Sequence, residues 1–411
     1  MDIYRARWVI PVETPPIEHG FLVVDGGRIS AVGAADRITS AEFNSAVIHD
    51  LGEVLLLPGF VNAHAHFELT CYRDQLSPGP LWSWLEQLIA LRRGADASQR
   101  ERSAVHSAAA ESLAAGVTTV GDISRTGFAA TILKDSPLRK VCFIELISGA
   151  SQPPHDAASL KAVFDEATAD AETDRLLIGI SPHAPYTVTR EDLSRTVTLA
   201  QATRAPLTMH LLETREEAKW LATGGGKLAD FLKRYVLPNA TAQFDRDIAG
   251  ILEKTGILAC RPLLAHVNYA TDEQLDRLAR SEASVVWCPR AHRFFGHANH
   301  RWREMLAWKI NVCIGTDSAA STPSLSILDE LRHVYQQTPD ARRADLILEM
   351  GTIRGAIGLG LDQIIGSLHP GKRADFVTVP LEANGPTEPV PNLLNAQTSV
   401  TKVWIDGAPV A

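Results

Sequence analysis

Two histidines, His64 and His66, close the apolar run VLLLPGFVNAHAHF and stand two residues apart. On an extended strand that spacing puts both imidazoles on one side, and neutral imidazole is the commonest metal ligand. An isolated His-x-His fits two hydrogen-bonded core residues equally well, so the case depends on what accompanies it. Three more apolar runs supply that company. PLTMH ends on His210, with Glu213 three residues on; PLLAH ends on His266; VCIGTDS carries Asp317. His210 and Asp317 are the best third and fourth ligands. Three imidazoles and a carboxylate suit one divalent cation, Zn2+ first and Fe2+ as an alternative, with a position left for water. His266 either ligates too or sits within reach of water and substrate, and the need for an open position favours the second role.

Glu213 is the natural general acid/base. Hydrolysis of a C–N bond takes a proton from water and delivers one to the leaving side, and one carboxyl can do both in turn. A glutamate opening the helix TREEAKWL could also be there for the helix dipole alone. Beside His210, catalysis is the stronger expectation, with His266 and Asp317 orienting the attacking oxygen. The chemistry expected is metal-assisted hydrolysis of a C–N or similar bond.

These residues share one address: the C-terminal end of a predicted strand. Between about Val54 and Ile365, eight apolar runs alternate with helical stretches such as SQRERSAVHSAAAESLAAG and TDEQLDRLARS. That alternation fits an α/β fold, a (β/α)8 TIM barrel whose active site forms at the strand C-termini. A doubly wound open sheet is the alternative, but no GxGxxG follows any strand. Both chain ends read instead as short strands, with Asp25-Gly26-Gly27 and Asp406-Gly407 as tight turns. The expected division is a small β-sandwich domain from residues 1–53 plus 368–411 around a catalytic barrel at 54–367.

Bulk properties narrow the partners. The 411 residues carry 40 Lys plus Arg against 48 Asp plus Glu, a net charge of −8, which argues against nucleic acid. The five cysteines are dispersed without CxxC spacing and read as reduced thiols. Without a signal-peptide pattern or an apolar run of about 20 residues, a cytoplasmic protein with no membrane contact is expected.

The strings PGFVNAHAHFELT, AAGVTTVGD, SPHAPYTV, HLLETREE, LAHVNYA, VVWCPRAH, GTDSAAS and GSLHPGKRADFVTV resemble the amidohydrolase superfamily, and within it the metal-dependent deaminase and chlorohydrolase branch. The resemblance implies a barrel with a flanking β-sandwich and one metal held by His64, His66, His210 and Asp317. It also implies Glu213 as proton shuttle, His266 polarising the target, and hydrolytic deamination of an amino-substituted aromatic N-heterocycle as the reaction. LLIGISPHAP offers no lysine for a carbamylated bridge between two metals. His183, in SPHAPYTV, matches a substrate-contacting position. FELT after His66 resembles aminodeoxyfutalosine deaminases, while Pro80 to Leu85 is similar to the PLxxWL of methylthioadenosine and S-adenosylhomocysteine deaminases. The latter hold ribose with a glutamate nine residues after that tryptophan; counting from Trp84, this chain has Arg93. Members of the family are often dimers or larger, so a homo-oligomer is expected.

In AHRFFGHANHRW, the three histidines follow no strand or helix period; they suggest an entrance loop, with His297 a candidate substrate contact, and no second metal. Trp82 and Trp84 are expected to pack, as is Cys288. Gly224-Gly225-Gly226-Lys227 lacks the upstream glycine and following Ser or Thr of a phosphate loop. The rival readings are a chlorohydrolase or aminohydrolase acting on a triazine-like ring and, in another class, a catalytically inactive ligand-binding barrel.

Overall fold

The computed structural model describes residues 1–37, 46–170, 174–235, 250–338 and 343–411. The chain begins with five strands, β1 (Asp2–Val9), β2 (Ile17–Asp25), β3 (Arg28–Ala34), β4 (Val47–Asp50) and β5 (Val54–Pro58). They form one eight-stranded mixed sheet with β14 (Phe376–Pro380), β15 (Lys402–Ile405) and β16 (Ala408–Pro409), near the other terminus. Its order is β16-β15-β14-β5-β1-β2-β3, with β4 added beside β1. Gly26 and Gly27 both have positive φ between the paired residues Asp25 and Arg28; this left-handed pair matches the twist of a tight hairpin.

Eight further strands lie between: β6 (Phe60–Ala65), β7 (Val117–Ser124), β8 (Arg139–Leu146), β9 (Leu176–Pro182), β10 (Thr208–Leu211), β11 (Leu263–His266), β12 (Ser284–Trp287) and β13 (Asn311–Ile314). All their pairings are parallel, in two sheets of four, β6-β7-β8-β9 and β10-β11-β12-β13. Single parallel bridges join the sheets at both edges, Ile180 to Leu207 and Ala65 to Asp317. Parallel neighbours require long crossovers, and helices such as Ala157–Asp170 and Arg190–Thr203 provide them. Val61, Ala63, Val141 and Phe143 of one sheet share a buried cluster with Leu263, Ala265, Val286 and Cys313 of the other. The alternate strand residues, among them Cys142, Ile144, Ile178 and Ile180, pack in the larger cluster that includes the helices.

The sheet change falls inside a run expected to be one barrel strand. VLLLP pairs with β1 and β14 in the terminal sheet, and the parallel set starts only at Phe60. Gly59 is the reason: a Cβ there would lie 2.1 Å from Thr118 Oγ1, so only glycine lets the chain cross at this point. Among the described residues no helix is long and apolar enough to span a membrane.

Candidate metal centre and substrate cavity

Strand ends deliver the site. His64 lies on β6 and His66 just beyond it, His210 on β10, His266 at the tip of β11, and Asp317 three residues past β13. One ring nitrogen from each of His64, His66 and His210 lies within 4.8 Å of the others. His66 Nε2 is 3.9 Å from Asp317 Oδ1. The four side chains expected to share a cation are therefore neighbours.

Each is held by named contacts. Thr316 and Asp317 both donate their backbone N–H to the His64 carbonyl, at 3.1 Å each. Asn62 clamps the same junction, accepting from Thr316 N at 3.1 Å and donating to Thr316 Oγ1 at 2.8 Å. Gly315 permits the close approach, since a Cβ there would sit 2.7 Å from the His64 carbonyl oxygen. His210 Nδ1 donates to the His183 carbonyl at 3.0 Å, which leaves Nε2 as the lone pair for a ligand. His266 and Asp317 adopt φ of +71° and +62°, left-handed backbone that costs non-glycine residues energy and clusters at functional sites.

The donor set fits a divalent cation. His64 is buried, and neither ring nitrogen has a hydrogen-bond partner among the described residues. A buried ring orphaned on both sides is costly unless something occupies a nitrogen. Burial and the neighbouring histidines hold His64, His66 and His266 well below the usual imidazole range, and His210 falls to about 4. All four are thus neutral, the ligating form. Burial raises Asp317 to about 7 in the absence of a cation, and a dication beside it would reverse that direction.

Glu213, His266 and Asp317 form a second cluster, again within 4.8 Å, with His266 Nε2 3.7 Å from Glu213 Oε1. Burial, then Asp317 and Glu217, pushes the Glu213 carboxyl well above the ordinary range. Its backbone is fixed from two sides: Glu213 N donates to Glu217 Oε2 at 2.8 Å, and Asn268 Nδ2 donates to the Glu213 carbonyl at 2.9 Å. Glu217 also accepts from Leu212 N at 2.8 Å, holding the turn that aims Glu213.

A cavity of about 220 Å³ opens over these groups, lined by His66, His183, His210, Glu213, His266 and Asp317. Leu81, Trp84, Leu88 and Phe295 give it apolar walls. Trp84 therefore packs and also faces the cavity, whereas Trp82 packs against Tyr186 and Phe231. Cys288 is buried. His183 lies just past β9 with its Nδ1 2.7 Å from Thr187 Oγ1.

His297 is not among the residues lining this cavity. A turn after the helix Pro289–Phe294, with Gly296 at φ +69°, folds it against Tyr269. There it lines a separate polar cavity with His292, His300 and Trp287. Of that loop, His300 bears on the site most directly, its Nε2 donating to the His266 carbonyl at 2.8 Å. Arg93 is exposed at the helix end, and its neighbour Arg92 lines the cavity instead.

Sequence reasoning did not single out Arg92, Arg125, Glu145 or Glu217. Arg92 bonds Glu68 at 2.8 Å and Glu101 at 2.7 Å, a network created by helix packing that no spacing reveals. Glu145 was findable, because it sits at the end of a parallel strand like the other site residues.

The profile of the Amidohydrolase family matches residues 55–410. The chain belongs to this family. A 5-methylthioadenosine/S-adenosylhomocysteine deaminase of Saccharophagus degradans is 30% identical over 98% of this chain and 90% of its own length. The Helicobacter pylori aminofutalosine deaminase, solved with methylthio-coformycin, superposes with a TM-score of 0.88 at 24% identity, covering all of both chains. An adenosine deaminase from Xanthomonas campestris with bound zinc gives 0.83 at 25% identity, over 99% of this chain and 92% of that one.

Proposed function

We propose that this amidohydrolase hydrolytically deaminates an amino-substituted N-heterocycle of the adenosine type, releasing ammonia. In this reading the eight parallel strands close into a (β/α)8 barrel, the terminal sheet forms the accompanying β-sandwich domain, and His64, His66, His210 and Asp317 hold one divalent cation, zinc in the first place. The observation that carries it is the doubly orphaned His64 ring beside His66, His210 and Asp317, facing the Glu213–His266 pair. Relatives named as deaminases of adenosine-type compounds support the substrate class.

A cation held there supplies Lewis acidity and lowers the pKa of water from 15.7 toward about 7. The protein's own groups do the rest. Glu213 takes the proton that water gives up and passes it to the ring nitrogen beside the target carbon. His266 and Asp317 orient the attacking oxygen. The added hydroxyl then gives up its remaining proton, which Glu213 carries to the exocyclic nitrogen; the carbon–nitrogen bond breaks, ammonia leaves and the carbon–oxygen bond becomes a carbonyl. Leu81, Trp84, Leu88 and Phe295 enclose a flat ring and exclude bulk water.

The test is ammonia release from adenosine, 5′-modified adenosines, guanine, cytosine and s-triazines, with zinc- and iron-loaded protein. Ammonia from the adenosines supports the proposal; turnover confined to chloride or alkylamine release from triazines would replace it with the chlorohydrolase reading.

A further inference from the structure

The cavity lining also carries two carboxylates, Glu68 and Glu145, in different circumstances. Glu68 is satisfied at both oxygens: Oε1 accepts from Arg92 at 2.8 Å and Oε2 from the Arg125 backbone N–H at 3.3 Å. Glu145 is 6% exposed and its Oε1 has no hydrogen-bond partner among the described residues. Arg125, the adjacent cation, donates instead to main-chain carbonyls, including that of Glu145 at 3.3 Å. It fixes the Glu145 backbone without neutralising its side chain by contact.

His183 stands beside this orphan, with a nitrogen within 4.8 Å of a Glu145 oxygen. Thr187 Oγ1 gives its own proton to the Ala184 carbonyl at 3.2 Å, so it accepts from His183 Nδ1. In the neutral ring that leaves His183 Nε2 as an acceptor. The cavity therefore presents two adjacent acceptors with no donor to meet them among the described residues. A buried acceptor left unpaired calls for a cause, and in a cavity wall a ligand that brings the proton supplies one.

Resting on the deaminase reading, we infer that Glu145, with His183 Nε2, receives the hydroxyl groups of a sugar joined to the heterocycle, so that the substrate is a nucleoside and not a free base. An aminoheterocycle's own exocyclic N–H donors are consumed at the reacting carbon. A vicinal diol brings two further O–H groups at one end, and a carboxylate is the side chain that accepts both. The subsite does for this chain what position 93, an exposed arginine, does not.

The test compares adenosine, 2′-deoxyadenosine, 3′-deoxyadenosine and adenine on zinc-loaded protein. The parent enzyme should favour adenosine over either deoxynucleoside by about tenfold or more in kcat/KM, mainly through KM. Glu145→Ala should erase that preference, and the isosteric Glu145→Gln, which keeps one acceptor, should retain part of it. Equal handling of adenosine and the deoxynucleosides by the parent, or an unchanged preference in Glu145→Ala, overturns the inference. Calorimetric binding to the Glu213→Gln variant reads the subsite independently of turnover. Diol-dependent binding that Glu145→Ala abolishes supports it even if no ammonia is released, a result that would sink deamination alone; binding indifferent to the diol overturns the subsite whatever the turnover.

Discussion

Strand β8 has the sequence RKVCFIEL and is buried along its whole length, yet its two ends treat charge in opposite ways. At the N-terminal end, Arg139 is paired with Asp375 at 3.1 Å and Asp406 at 2.9 Å, and Lys140 donates to the carbonyls of Ser136 and Lys134. At the C-terminal end, Glu145 has an orphaned oxygen. Other strands add to the open end. The C-terminal side gathers His64 without partners and His266 and Asp317 in left-handed backbone. On β8 the buried charges of one end are answered by the protein, whereas at the other end an acceptor is left for a ligand. That division is the one expected of parallel α/β enzymes, with chemistry at the C-terminal face and stability at the N-terminal face.

The contrast can be broken most severely at its functional end. His64→Ala should purify without stoichiometric metal and show no measurable turnover, by elemental analysis and ammonia release. Full metal content in that variant would remove His64 from the ligand set. Glu213→Gln should keep the metal while turnover falls by about 10²-fold or more, the usual cost of a lost acid/base. Normal turnover would refute the role given to Glu213.

The N-terminal end should respond in the other currency. Arg139→Met leaves Asp375, 4% exposed, without its cation and should cost about 3–5 kcal/mol of stability, as breaking a buried pair does. Denaturant unfolding measures the loss, and kcat should stay at the parent value wherever the variant is folded. A fall in kcat with stability unchanged would erase the distinction between the two ends. Gly315→Ala tests, on a smaller scale, the junction of β6 and β13 at the functional end. Its Cβ would crowd the His64 backbone, so a cost of about 1–3 kcal/mol should come with weaker metal retention.

How much of this the sequence disclosed follows from the same geometry. His64, His66, His210, His266 and Asp317 were legible because each closes an apolar run, and a strand end is a position that local pattern can locate. The two-termini sheet was legible from its hairpin turns. The break at Gly59 was not, because VLLLPGFVNA is apolar throughout and the sheet change depends on how closely Thr118 approaches. His297 was placed by residue type in a segment without period, and a turn at Gly296 carried it to a different cavity. Arg92, Glu68 and Glu101 meet only because the helix Leu81–Arg92 packs beside the short helix containing Glu68, a tertiary fact with no local signature.

The gentlest test uses Lys140. Burial pushes its ammonium down to about 8 from an ordinary 10.5, although Ser136 and Lys134 carbonyls accept from Nζ at 2.9 and 3.3 Å. Between those two values the unfolded chain holds a proton that the native protein has released. Stability attributable to this residue therefore rises with pH from about 8 to 10.5, by up to about 3 kcal/mol, and is flat below that window. Other groups titrate in the same range, so the quantity to measure is the difference between the parent and Lys140→Met. The two unfolding free energies, followed from pH 7 to 10.5, should move apart in the parent's favour as pH rises. Parallel curves would mean that the two carbonyls hold the ammonium as well as water does, and that the N-terminal face is even more fully satisfied than its counterpart is open.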